Sequence, residues 1–206
     1  MKIGVLALQG AFREHINKLQ ALDIEAPEIR LPAQLQDLDG LIIPGGESTT
    51  MGKLAAAFGL LEPLRKFTRE RPTWGTCAGL ILLADRAVKQ KKGGQPLIRG
   101  LDVTVDRNYF GRQVDSFEAD LDVPALDEVA QPADPEGPFH AIFIRAPAVV
   151  ETGPQVEVLA RLPQDGPIVA VRQNHLLGTA FHPELSNDLR FHRYFAQMVT
   201  PKLFRD

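Results

Sequence analysis

The chain has 206 residues, 44% of them apolar and 24% charged, with a formal net charge of −3. That length suffices to bury a core as one domain over 1–206, and no basic excess points to nucleic acid or an acidic membrane surface. The single cysteine, Cys77, excludes an internal disulfide and fits a reducing cytoplasm, and no apolar run approaches membrane-spanning length.

The apolar run Lys2–Leu8 is too short for a secretory leader and is expected as a strand buried on both faces. Phe12, Ile16, Leu19 and Leu22 recur at helical spacing, predicting an amphipathic helix. Leu41–Ile43 is a short apolar strand ended by Pro44-Gly45-Gly46, with Ser48 as N-cap of the next helix. A further helix is expected over Leu60–Arg71, a strand over Pro72–Thr76 leading into Cys77, and a helix over Ala78–Ala84. This alternation predicts an α/β fold, a mostly parallel sheet with helices on both faces. The second half reads as strands at Leu101–Arg107, Ser116–Leu121, Ala141–Ile144, Val156–Arg161, Ile168–Arg172 and Leu177–Phe181, then a helix over Asn187–Val199. Lys89–Gln95 and Pro124–Pro138 read as surface loops.

Gly75-Thr76-Cys77-Ala78-Gly79 is a thiol version of the nucleophile elbow G-x-S-x-G. A tight strand-to-helix turn crowds the backbone, and glycines relieve it. The helix N-terminus offers N–H groups to an anion formed there. A lone cysteine is more often a packed core residue, and the flanking glycines favour the nucleophile. Near the end of the chain, Phe181-His182-Pro183-Glu184 places two polar groups two residues apart, on one side of an extended segment. Glu184 can then orient the His182 ring toward a thiol. Alone, that tetrapeptide would be a solvated turn. His15, His140, His175 and His192 have no such spacing and take structural or solvated roles, and no Cys/His cluster has metal-ligand spacing.

Pro44-Gly45-Gly46-Glu47-Ser48-Thr49-Thr50 invites comparison with a phosphate loop. However, Lys53 is followed by Leu54, and Glu47 stands where that motif needs its first glycine. An oxyanion hole suits it better, with backbone N–H groups from Gly46 and Ala78.

Together these segments resemble the class I (triad) glutamine amidotransferases. Gln9-Gly10 and Gly111-Arg112-Gln113-Val114-Asp115-Ser116-Phe117 narrow the resemblance to the PdxT family, glutaminase subunits of pyridoxal 5′-phosphate synthase. The resemblance implies a flavodoxin-like fold, the catalytic triad Cys77, His182 and Glu184, and glutamine contacts at Gly46, Glu47, Ser48, Arg107, Ile144 and Arg145. It implies hydrolysis of L-glutamine to L-glutamate and ammonia with no cofactor. It also implies a PdxS-type synthase partner in a hetero-oligomer, without which the glutaminase is nearly silent. Lys89–Gln95 and Pro124–Pro138 depart from the family pattern in length or composition. Two rivals share part of the pattern: the glutaminase subunit of imidazole glycerol phosphate synthase, and a cysteine hydrolase or thiol chaperone of similar fold.

Overall fold

The structure, a computed structural model, describes residues 1–88, 94–111 and 116–200. Its strands in chain order are β1 (Ile3–Leu6), β2 (Glu28–Ile29), β3 (Gly40–Ile43), β4 (Thr73–Thr76), β5 (Ala84–Val88), β6 (Leu101–Asp106), β7 (Ser116–Leu121), β8 (Phe139–Ile144), β9 (Ala148–Thr152), β10 (Glu157–Arg161), β11 (Ile168–Gln173) and β12 (Leu176–Thr179). The helices are α1 (Phe12–Gln20), α2 (Ser48–Ala57), α3 (Leu61–Glu70), α4 (Ala78–Leu83) and α5 (Arg190–Val199), with short 3-10 turns at Pro32–Leu35, Pro124–Val129 and Pro183–Leu185.

The sheet runs β2-β1-β3-β4-β12-β11-β9-β6-β5, with β10 on β11, while β7 and β8 pair separately. From β2 to β12 every pairing is parallel, and β5 pairs β6 parallel at the far edge; the pairings around β9, β10 and β11 are antiparallel. All four residues of β1, β3, β4 and β12 are buried, as their unbroken apolar or small sequences require. The turns after these four adjacent strands lead into the segments 7–11, 44–47, Cys77 and 180–184. In an open parallel sheet the crevice at the carboxyl ends of the strands is where ligands bind. Beneath it, Trp74 of β4 stacks on Phe191 of α5 at 6.2 Å between ring centroids and lies 5.7 Å from Phe195, anchoring the last helix to the central strand.

The expected elements are present with ends shifted by a few residues, and several details differ. β2, β5 and β9 are additional strands; β5 begins at Ala84, where a helix end was expected. Residues 124–138 are not wholly loop, since Pro124–Val129 forms a 3-10 turn. Residues 89–93 of the basic loop and 112–115 of the Gly111–Phe117 run lie outside the described residues.

Ser48 is not the N-cap of α2. Glu47 takes that position with extended backbone, and its carboxylate accepts from the N–H groups of Thr49 and Thr50. The longer side chain reaches two of the orphan donors of the first turn at once. The last strand ends at Thr179, so His182 and Glu184 are not two positions of an extended segment. Pro183 opens a 3-10 turn, for which its fixed φ is suited, and both side chains turn toward each other within it.

An added Cβ at Gly79 would collide with the carbonyl oxygen of Ile43. Gly79→Ala should therefore destabilise the protein by at least about 1–3 kcal/mol by forcing α4 off β3. Urea denaturation checks this, and an unchanged midpoint would contradict so close a packing. Burial pushes the Glu47 pKa up, but hydrogen bonds from Thr50 and Thr49 outweigh it and hold it near about 2. A depressed carboxylate stabilises the fold above its unfolded pKa of roughly 4.3 and ceases to do so as pH falls toward the folded value. Glu47→Ala should cost about 0.5–1 kcal/mol at neutral pH, and the gap from the parent should narrow below roughly pH 4. A gap that persists undiminished in acid would show that the cap is not acting through its charge.

Candidate active site

Cys77 occupies the single residue between β4 and α4 with φ 48° and ψ −103°, a left-handed conformation costing on the order of 1–3 kcal/mol for a residue with a side chain. The surroundings impose it. Cys77 N–H donates to Thr179 O at 2.8 Å, continuing the β4–β12 ladder, while Ala78 already begins the helix. Gly75 and Gly79 face each other across this turn, and a Cβ on Gly75 would press on the Gly79 carbonyl and Leu80 N. Cys77 is 6% exposed, and its Sγ lies 3.9 Å from the carbonyl oxygen of Ile144.

The His182 imidazole comes from the turn after β12, where its backbone N–H donates to Ile142 O at 2.8 Å. Its Nδ1 lies 2.6 Å from Glu184 Oε1, and the ring and the Cys77 side chain approach the same face of Gly45. With Nδ1 engaged, Nε2 is the nitrogen left for sulfur. Burial lowers the His182 pKa, but the hydrogen bonds to Cys77 and Glu184, with the charges on both, raise it to about 10. Burial likewise raises the pKa of Glu184, and electrostatic interaction with His15 and the contact with His182 pull it below its usual value. The outcome is a carboxylate beside an imidazolium, an ion pair formed where there is almost no water.

The glycine loop after β3 closes over this pair. A Cβ on Gly45 would collide with His182 Cε1 and sit 3.3 Å from Cys77 Cβ, so no other residue fits. The Gly45 carbonyl accepts from Ala11 N–H at 3.1 Å, so the Gly46 N–H of the same trans peptide points the opposite way. The Glu47 N–H donates to Gln9 Oε1 at 2.8 Å. Arg107 Nη2 lies 3.3 Å from Glu47 Oε1 and 3.2 Å from Thr49 Oγ1, and Ser48 Oγ donates to Gln95 Oε1 at 3.2 Å. Ile144, the last residue of β8, and Arg145 after it are exposed, and Arg145 adopts φ 43°.

The contacts thus join Cys77, His182 and Glu184 to the glycine loop and Arg107 and bring the Ile144 carbonyl to Cys77, but they do not tie Arg145 to this cluster. Sequence reasoning missed Gln9, which grips the Glu47 peptide, Thr49 and Gln95, which extend the loop's hydrogen bonds, and His15, which lies 3.3 Å from Glu184 Oε2. Gln9 carried a usable signal, because it follows β1, the neighbour of β3 in the sheet. Gln95 and His15 carried none, since their partners are distant in sequence. Among the described residues, no group of three or more His, Cys, Asp or Glu is placed to hold a metal ion.

Residues 5–201 match the SNO glutamine amidotransferase family. Pyridoxal 5′-phosphate synthase subunit PdxT of Dehalococcoides mccartyi is 58% identical over 200 residues, covering 97% of each chain. The subunit of that name from Herpetosiphon aurantiacus is 55% identical, covering 95% of this chain and 98% of its own. A crystal structure of a glutamine amidotransferase superposes with a TM-score of 0.84 at 49% identity, covering 96% of this chain and 98% of its own. A chain of the PurLQS structure from Thermotoga maritima shares the fold, with a TM-score of 0.68 at 17% identity over 97% of this chain and 99% of its own. On sequence and on fold alike, the chain belongs to the SNO glutamine amidotransferase family.

Proposed function

We propose that this chain hydrolyses L-glutamine to L-glutamate and ammonia, and that it hands the ammonia to a pyridoxal 5′-phosphate synthase subunit of the PdxS type. The observation that carries the chemistry is the His182 ring, held at 2.6 Å by Glu184 and gathered with the Cys77 side chain against Gly45. The observation that carries the pathway is the near full-length similarity to subunits named for that synthase.

Cys77 Sγ attacks the side-chain carboxamide carbon of glutamine. The oxyanion is received by the N–H groups of Gly46 and Ala78; the first is aimed away from Ala11, and the second is an unpaired donor of the first turn of α4. His182, as imidazolium, gives its Nε2 proton to the departing nitrogen, the C–N bond breaks, and ammonia leaves a γ-glutamyl thioester on Cys77. The neutral ring then takes a proton from water, whose oxygen attacks the thioester. The C–S bond breaks, glutamate departs, and the imidazolium and sulfur return to their starting state. Glu184 keeps Nδ1 protonated and the ring in plane throughout. Glu47, Ser48, Arg107, Ile144 and Arg145 are assigned to the two charged ends and the carbonyl of the amino acid, the Arg107 guanidinium matching its α-carboxylate.

Ammonia is mostly protonated in neutral water and useless there as a nucleophile, so delivery calls for a docked partner and a closed path. One reduced cysteine in a partly buried site suits a cytoplasmic enzyme.

Glutamate release by the chain together with its synthase partner tests the reading. Cys77→Ala should abolish it, His182→Ala should lower kcat by roughly 10²–10⁴-fold, and Glu184→Gln should do less, since the imidazole survives. Equal losses in the last two would argue against an orienting role for Glu184. The isolated chain should turn over at least roughly tenfold more slowly than the complex, a barrier difference of about 1.4 kcal/mol. Full activity without the partner would rule out activation by docking.

A further inference from the structure

The Glu184 oxygen that His182 leaves unused faces a second imidazole. His15 of α1 and His192 of α5 have no exposed surface, and neither takes part in the chemistry above. His15 Nε2 lies 3.3 Å from Glu184 Oε2 and 3.2 Å from Thr76 Oγ1, the residue before the nucleophile. His15 Nδ1 lies 2.9 Å from His192 Nε2. The chain of contacts therefore runs from Cys77 through His182, Glu184 and His15 to His192, and ends there. His192 Nδ1 has no hydrogen-bond partner among the described residues.

Burial lowers the pKa of His15 to about 3 against the pull of Glu184, and it lowers that of His192 to about 3 with a small contribution from Lys18. Both rings are neutral near neutral pH, and each carries one proton. Two arrangements then remain. If His15 carried its proton on Nδ1, it would donate to His192 Nε2, and His192 would be left with a buried N–H that meets nothing. The bare Nε2 of His15 would also face a carboxylate oxygen. If His192 carries its proton on Nε2, it donates to His15 Nδ1, and His15 turns an Nε2–H toward Glu184 Oε2 and Thr76 Oγ1. The unmet groups among the described residues are then the lone pair of His192 Nδ1 and Glu184 Oε2, which accepts no hydrogen bond although it lies 3.3 Å from His15 Nε2. Buried orphan N–H groups are the rarer and costlier defect, and a donor beside a carboxylate is better than a lone pair. The second arrangement wins on both counts.

We propose that His15 is a positioning residue of the active site: held as its Nε2–H tautomer by a hydrogen bond from His192, it directs the N–H that it donates to Thr76 Oγ1 along the edge of Glu184 Oε2 as well, and its electrostatic attraction fixes the carboxylate that orients His182. The inference rests on the reading of Cys77, His182 and Glu184 as nucleophile, base and orienter. The titratable groups that face Glu184 are His15 and His182; His15 in turn faces His192, and Lys18 acts on His192. The alternative is that the two imidazoles are inert packing beside Trp74, whose ring centroid is 5.6 Å from that of His15 and 5.0 Å from that of His192.

Two measurements separate these. In the intact chain, nitrogen-15 NMR of the imidazoles should find both His15 and His192 neutral and protonated at Nε2 across neutral pH. A proton on Nδ1 of His15 overturns the proposal and requires no variant. In the complex with the synthase partner, His15→Phe keeps a ring against Trp74 and removes the donor. It should lower kcat roughly 10- to 100-fold, the range typical of losing a group that orients a first-contact residue, with KM for glutamine nearly unchanged. Glu184 would lose the favourable electrostatic interaction with His15, so its pKa rises and the acid limb of the kcat profile moves to higher pH. His15→Gln, whose amide can donate to Glu184 and accept from His192, should restore most of the rate and return the limb. Turnover abolished by Cys77→Ala but unaltered by His15→Phe overturns this inference alone. Turnover that survives Cys77→Ala overturns the glutaminase reading beneath it. Equal loss in the Phe and Gln variants with the acid limb unmoved assigns His15 to packing and ends the proposal. If the Phe variant does not fold, the tautomer and the Gln variant decide.

Discussion

The site depends on one crowded turn. Cys77 is forced to φ 48° because β4 and α4 are joined through a single residue while both remain fully packed. That geometry is possible only where neighbouring Cβ atoms are missing. Gly75 meets the Gly79 carbonyl, Gly79 meets the Ile43 carbonyl, and Gly45 meets the His182 ring. The strain is held in place by β3 and β12 on either side of β4, and what it achieves is a sulfur lifted to the carboxyl end of the sheet. There it stands at a helix start, with unpaired N–H groups alongside.

The partner of that sulfur arrives from more than a hundred residues away. Register does this: Thr179 of β12 lies beside Thr76 of β4, and the ladder continues one step further when Cys77 N–H donates to Thr179 O. His182 then follows the end of β12 by three residues, as Cys77 follows the end of β4 by one. Pro183 bends the chain so that Glu184 returns to the imidazole instead of continuing away from it. A buried carboxylate and imidazolium would each be costly alone; together they satisfy one another, and Cys77 and Glu184 both act against burial to raise the His182 pKa.

Much of this was legible in the sequence, for physical reasons that differ between elements. The buried strands β1, β3 and β4 are continuous apolar or small runs, and the elbow announces itself through Gly75 and Gly79. The His182–Glu184 pairing was correctly read as an alliance but wrongly read as strand geometry, because periodicity does not reveal where a sheet stops hydrogen-bonding. Ser48 was favoured as N-cap by residue type, and Glu47 took the position because its longer side chain reaches two N–H groups. β5 and β9 were missed since each is short and follows directly on a helix or a proline. His15 and His192 could not be found at all: they sit on helices at opposite ends of the chain, and only the packing of α1 and α5 about Trp74 brings them together.

The central claim is that the strained Cys77 sulfur, served by His182, becomes covalently acylated by glutamine. Rapid quenching of the partner-bound chain with glutamine, followed by intact-mass and peptide analysis, tests it most directly. The expected result is a transient gain of one γ-glutamyl group on the peptide containing Cys77, accumulating when water attack is slowed. Glutamate formed at full rate with Cys77 never modified under any quench, or with the adduct on another residue, would contradict the account.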